Sequence, residues 1–204
     1  MISIIDYGLG NVGAFANMYR EMNIPARLAK NVKDLEGSSK LILPGVGSFD
    51  LAMNFFRDSG MFEKVSEMVL KDGIPVLGIC VGMQMMANSS EEGLTSGLGW
   101  IPGKVKKIDE SKLLQRTRLP HMGWNDVKVR GENPLFLGLE NDAKFYFLHS
   151  FYFNTEIDEN IVAEVEYGDT FPCVVGKNNI YGVQFHPEKS HRYGARLLKN
   201  FAEL

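Results

Sequence analysis

Cysteine is scarce in this chain. Two among 204 residues are too few for a disulfide framework, which points to a reducing cytoplasm. Charge of one sign is lacking too: 22 basic and 25 acidic residues leave a formal net charge of −3, and the basic residues form no stripe. That excludes the electrostatic footprint of nucleic-acid binding. No apolar run approaches the roughly 20 residues needed to span a bilayer. The N-terminus has an Asp at position 6 and no basic segment leading into a long apolar one, so it does not read as a targeting signal. No His, Cys, Asp and Glu cluster has metal-ligand spacing, and the run Met83, Met85, Met86 reads as helix packing. Linkers, repeats and low-complexity tracts are missing as well. What is present is 45% hydrophobic residues, enough for one sizeable core. The expectation is a soluble, cytoplasmic protein with a single domain over 1–204, needing no membrane, nucleic acid, metal or cofactor.

The first half alternates apolar runs with helix-period segments: "ISII", Asn11 to Met22, "LILP", Ser48 to Lys71, "PVLGI" and Gly82 to Asn88. This is the pattern of an α/β fold with a parallel sheet covered by helices on both faces. From Trp100 onward the runs "WIPGKVKKI", "WNDVKV", "FYFLHSFYF", "IVAEVEY", "FPCVV" and "IYGVQF" read as strands, partly antiparallel. A helix from about Ser190 to Ala202 closes the chain, with Tyr193, Leu197, Leu198 and Phe201 at helical spacing.

"PVLGICVGMQMM" places an apolar strand, Cys80 and a helix in succession, with Gly78 and Gly82 two residues to either side. G-x-C-x-G is the cysteine form of the nucleophile elbow, a tight strand-to-helix turn that needs small flanking residues and presents the central side chain. The helix start favours thiolate and offers the Val81 N–H to an oxyanion. A free cysteine is also commonly just a small core residue. In "YGVQFHPEKS", Pro187 biases His186 toward an extended backbone, where side chains two apart point the same way. Glu188 can then orient the imidazole as a base for the cysteine, whose thiol at a pKa near 8.5 is otherwise only a few per cent ionised at neutral pH. "LILPGVGSFD" ends a third strand in Gly45-Val46-Gly47, where a flexible peptide can turn its N–H toward an oxyanion.

"GLGNVG", residues 8 to 13, fits the G-x-G-x-x-G spacing of dinucleotide sites. The next candidate strand, "ARLA", ends at Lys30 and Asn31 rather than at the acid such a site wants. A nucleotide-binding module stays open as an alternative. His149 in "FLHSF" suits either a wall of the site or a packed histidine. His191 suits a cap or the surface, and Cys173 in "FPCVV" the core.

Together these residues resemble the class I (triad-type) glutamine amidotransferases, in which an elbow cysteine and an H-P-E segment cleave the side-chain amide of glutamine. Within that class the segments "DYGLGN", "LPGVGSF", "GICVGMQ", "SSEEGL", "LPHMGWN", "HSF" and "GVQFHPEKS" resemble the glutaminase subunits of imidazole glycerol phosphate synthases, from Asp6 to Ser190. The resemblance implies a three-layer fold with a flavodoxin-like, mostly parallel central sheet, helices on both faces and extra antiparallel strands in the C-terminal half. It implies Cys80 as nucleophile, His186 as acid and base, and Glu188 as its partner. Gly45, Val46, Gly47 and Val81 match the oxyanion and substrate positions. Gln84 and Glu92 match side-chain contacts to glutamine, and the Ser150–Phe151 backbone a wall of its pocket, although many relatives have tyrosine at 151. Asn11, His121, Trp124 and Lys189 fall on segments that resemble the partner-facing side, which makes "GLGNVG" an interface turn. The partner implied is a (β/α)8 cyclase subunit in a heterodimer, which uses the ammonia to make imidazole glycerol phosphate and an aminoimidazole carboxamide ribotide in histidine biosynthesis. A similar subunit feeding sugar N-amidation in surface-polysaccharide pathways is the alternative acceptor.

Overall fold

The apolar runs of the first half form parallel strands in the computed structural model, which describes residues 1–113, 118–139 and 143–204. Strand β1 (Ile2–Ile5) leads to helix α1 (Val12–Glu21), β2 (Ala26–Ala29), β3 (Lys40–Gly45), helices α2 (Phe49–Asp58) and α3 (Phe62–Leu70), β4 (Val76–Cys80) and a short α4 (Val81–Met85). Then come β5 (Ser89–Ser90), β6 (Lys104–Lys107), β7 (His121–Val129), β8 (Lys144–His149), β9 (Phe151–Asn154), β10 (Ile161–Tyr167), β11 (Asp169–Lys177), β12 (Ile180–Val183) and α5 (His191–Glu203). Every residue of β1 and β4 is buried. Such continuous burial requires cover on both faces, and two groups of helices supply it: α1 packs with α5, and α2 packs with α3 and α4. Among the described residues no helix is long and apolar enough to cross a membrane.

The main sheet has nine strands in the order β2-β1-β3-β4-β12-β11-β10-β7-β8. Its first five are mutually parallel, in the 2-1-3-4-5 order of flavodoxin-like sheets. The other pairings are antiparallel, so a four-stranded antiparallel wing extends the five parallel strands. A second sheet, β5-β6-β9, lies beside it. The run "FYFLHSFYF" therefore serves two sheets, with the chain leaving β8 for β9 at Ser150. Two helical segments are shorter than their periodicity predicts. Ser48 to Lys71 breaks at Gly60, whose φ of +72° ends α2 in a turn that a side chain would strain. Helix α4 stops at Met85, and the bonds from Met86 and Ala87 back to Met83 and Gln84 close it with a tightened last turn.

Register sets the site. Gly45 of β3 pairs with Cys80 of β4, and on the other side Ile79 pairs with Val183 of β12. The residues following β12 thus emerge beside Cys80. This is the carboxyl end of the parallel strands, where open α/β sheets bind ligands.

Candidate active site

Cys80 sits at φ +55° and ψ −113°, a backbone conformation a side chain rarely adopts and one that marks functional turns. The flanking glycines are steric necessities. A Cβ on Gly78 would come within 2.7 Å of the Gly82 carbonyl oxygen, and one on Gly82 would overlap the Leu43 carbonyl oxygen. The chain can therefore fold back so tightly that the thiol stands above the strand ends. Helix α4 has only five residues, so what it offers the site is the unpaired N–H groups of its first turn, beginning with Val81, rather than a long helix dipole.

His186 and Glu188 meet as the sequence predicts, by another route. The chain bends at Gln184 and Phe185 after β12, is extended at His186 itself, and turns into a short 3-10 helix over Pro187–Lys189. That turn, not an extended i, i+2 pair, brings Glu188 Oε1 to 2.9 Å from His186 Nδ1. Both side chains are buried. His186 Nε2, the other ring nitrogen, is buried without a hydrogen-bond partner. Burial disfavours the imidazolium, but the adjoining Cys80 and Glu188 outweigh it and push the His186 pKa up to about 10.

These residues line one cleft of about 410 Å³. Val46, Gly47, Val81, Gln84, Glu92, Ser150 and Phe151 line it too, as do Asn11 and Lys189. Three further lining residues are Pro120, Leu148 and His149. Gly47 has φ +86°, consistent with a peptide that needs glycine. Gly45 does not line the cleft. A Cβ there would sit 2.9 Å from the Val81 carbonyl carbon, so this glycine lets β3 approach the elbow. Two glycines of "GLGNVG" have local reasons of their own: Gly8 has φ +96°, and Gly10 has φ +102° with a Cβ on it 2.8 Å from Pro44, whereas Gly13 faces open space. Asn11 flanks α1 without spending its side chain on a cap.

The family model described as glutamine amidotransferase class-I matches residues 3–204. The chain belongs to the class-I glutamine amidotransferases. It is 54% identical, over all of both chains, to the imidazole glycerol phosphate synthase subunit HisH of Bdellovibrio bacteriovorus. It is 48% identical, again over the full length of each, to the HisH subunit of Leptospira interrogans. A solved structure titled as a glutamine amidotransferase superposes with a TM-score of 0.74 at 20% identity, covering 99% of this chain and 97% of the other.

In this amidotransferase the cleft walls are tied together by hydrogen bonds that join distant segments. Glu92 Oε2 accepts from the Phe49 N–H at 2.8 Å, capping α2 where Ser48 makes no side-chain cap. Gln84 Nε2 donates to the Phe151 carbonyl at 3.0 Å and to Gln184 Oε1 at 3.1 Å. His149 Nδ1 lies 2.8 Å from the same carbonyl, and its Nε2 lies 3.0 Å from His121 Nδ1. His121 is itself buried, stacked between Phe147 and Tyr167, so its ring does not reach the surface as a partner contact would. Burial lowers the pKa of His121 to about 4 and that of His149 to about 3. Trp124 is exposed, as is Met122, and it stacks on His191. Met122 pairs in register with Leu148, as Trp124 does with Tyr146. Met122, Trp124 and Leu148 thus form an exposed apolar face at the cleft mouth. Cys173 is fully buried, and burial raises its thiol pKa well above the usual value, as a core cysteine requires.

Sequence reasoning missed Gln184. It lies at the bend after β12, two residues before His186, with its Nε2 3.8 Å from Cys80 Sγ.

Proposed function

We infer that this chain is the glutaminase subunit of an imidazole glycerol phosphate synthase, releasing ammonia from L-glutamine for a cyclase subunit in histidine biosynthesis. The observation that carries the chemistry is the convergence of Cys80, His186 and Glu188 on one cleft. The full-length similarity to HisH subunits supports the pathway. Residues 1–204 act as one amidotransferase domain, suited to a reducing cytoplasm.

Cys80 Sγ attacks the side-chain amide carbon of glutamine. The amide oxygen becomes an oxyanion facing the Val81 N–H and the Val46–Gly47 turn, where one well-placed donor is worth about 3 kcal/mol. His186, held protonated by Glu188 and the cysteine, gives its Nε2 proton to the amine as the C–N bond breaks and ammonia leaves. Water then adds to the glutamyl thioester with His186 as base, restoring the thiol and freeing glutamate. Gln84 spends both amide hydrogens inside the protein, so it offers glutamine only its carbonyl oxygen. Glu92 and the Ser150–Phe151 backbone complete the pocket.

Ammonium is not a nucleophile, so ammonia delivered through water is wasted. A (β/α)8 cyclase docked over the cleft mouth would prevent that. The exposed Met122, Trp124 and Leu148, with Val46, Asn11 and Lys189 at the rim, fit such a lid better than open solvent. The test is glutamate release by the purified chain, alone and with a histidine-pathway cyclase subunit and its ribotide substrate. A low rate alone that rises by orders of magnitude in the complex, and vanishes with Cys80→Ala, supports the reading. No rise with that partner sinks the pathway assignment.

A further inference from the structure

We propose that Gln184 is a catalytic residue of this site, donating a side-chain N–H to the Cys80 sulfur and holding it as a positioned thiolate. The inference rests on the glutaminase reading for its consequence and on geometry for its content. Gln184 Nε2 lies 3.8 Å from Cys80 Sγ, within reach of an N–H to sulfur contact. Gln184 is fully buried and does not line the cleft, so it addresses the sulfur and not the substrate.

The direction of this contact is dictated by its neighbours. The Phe151 carbonyl can only accept, so the Gln84 atom facing it is Nε2, and the Gln184 atom that Gln84 Nε2 also meets must be an acceptor, Oε1. That leaves Gln184 Nε2 toward the sulfur. A second series of donors reaches the same Phe151 carbonyl from the other side. His149 Nδ1 donates to Phe151, its Nε2 accepts from His121 Nδ1, and His121 Nε2 accepts from Asn125 Nδ2. Asn125 in turn donates to the Glu166 carbonyl. With both rings neutral, every donor in the series has one acceptor to point at.

The other titratable groups near the sulfur do other work. His186 and Glu188 approach from the turn after β12. Tyr7, beyond the end of β1, also influences Cys80, but its hydroxyl donates to the Pro44 carbonyl at 2.7 Å. Gln184 is therefore a neutral donor to the thiolate both before it attacks glutamine and when the thioester breaks down to release it.

The test is the rate of Cys80 alkylation by iodoacetamide as a function of pH, with Cys80→Ala as blank. Gln184→Met keeps the length and removes the donor. It should slow alkylation at neutral pH about tenfold, raise the pH of half-maximal rate, and lower kcat for glutamine with KM little changed. Gln184→Glu should be slower still, because a carboxylate faces the sulfur. An unmoved alkylation profile in a folded Gln184→Met overturns the proposal. If that variant does not fold, the side-chain amide protons of Gln184 in the wild-type chain decide. They should shift with the same pH midpoint as alkylation, and invariance overturns the proposal. A shifted profile in a chain that releases no glutamate with any cyclase would defeat the glutaminase reading and leave the contact standing. Normal release with an unmoved profile would do the reverse.

Discussion

Gly194 is the fourth residue of α5, inside a regular helix, where alanine would ordinarily stabilise by about 0.8–1.0 kcal/mol. Here the sign reverses. A Cβ at this position would overlap the Pro187 carbonyl oxygen and lie 2.6 Å from its carbon and 2.9 Å from its Cα. Those are backbone atoms of the turn that carries Glu188, so no side-chain rotation relieves the clash. The turn is also held in place: Ser190 Oγ donates to the His186 carbonyl at 2.7 Å and accepts from the Tyr146 N–H at 3.0 Å, while the His186 N–H donates to the Tyr146 carbonyl at 2.9 Å. Making room for a methyl group moves α5 or the turn by about 1 Å. Overpacking of this kind costs about 1–3 kcal/mol, so Gly194→Ala should be destabilised on balance despite its better helix propensity. A displacement of 1 Å at a catalytic group costs about a hundredfold, so kcat for glutamate release in the synthase complex should fall by that order. Gly13→Ala in α1 is the control, since nothing lies within 4 Å of its Cβ. It should be neutral or slightly stabilising, with full activity. Urea unfolding and steady-state glutamate release on both variants read the two effects. Gly194→Ala with the stability and kcat of Gly13→Ala would refute the packing argument.

The remaining predictions concern the walls of the cleft. His121 and His149 should both stay neutral at pH 5 in the folded chain, carrying the proton on Nδ1, as imidazole nitrogen spectra would show. A ring titrating near pH 6.5 contradicts the buried pair. Their depressed values mean that the unfolded chain binds the protons first. Their contribution is intact above pH 6.5 and is lost as pH falls toward 4 and 3, by about 2 kcal/mol at pH 5 for each. His186 acts in the opposite sense, its raised value adding stability as pH falls from 10 to 6.5. Glu92→Ala should lower stability by about 1–2 kcal/mol through the lost cap on Phe49 and raise KM for glutamine. Glu92→Gln should recover the stability. Equal stability of the two Glu92 variants would show that the cap is idle.

The elbow was legible because its chemistry is local. Gly78, Cys80 and Gly82 lie within five residues, and their sterics can be argued without knowing the fold. His186 and Glu188 were legible for the same reason, although the turn that joins them is tighter than the extended pairing expected. Gly45, expected beside Gly47 at the oxyanion, does not line the cleft, because a glycine needed for close packing and one needed for a turning peptide look alike in sequence. Its partner in the packing, α4, lies more than 35 residues away. The His121–His149 pair depends on strand register, which no local pattern specifies, and Gln184 on a bend after β12 that the sequence does not mark. The switch between sheets at Ser150 was hidden because "FYFLHSFYF" has no glycine or proline to mark it.

The most direct test of the central claim is covalent labelling of the wild-type chain with a diazoketone analogue of glutamine, located by peptide mass. The account predicts one adduct, on Cys80, slowed by free glutamine, abolished in Cys80→Ala and absent from the buried Cys173. Labelling at Cys173, or none at Cys80 with the cyclase partner and its substrate present, would contradict it.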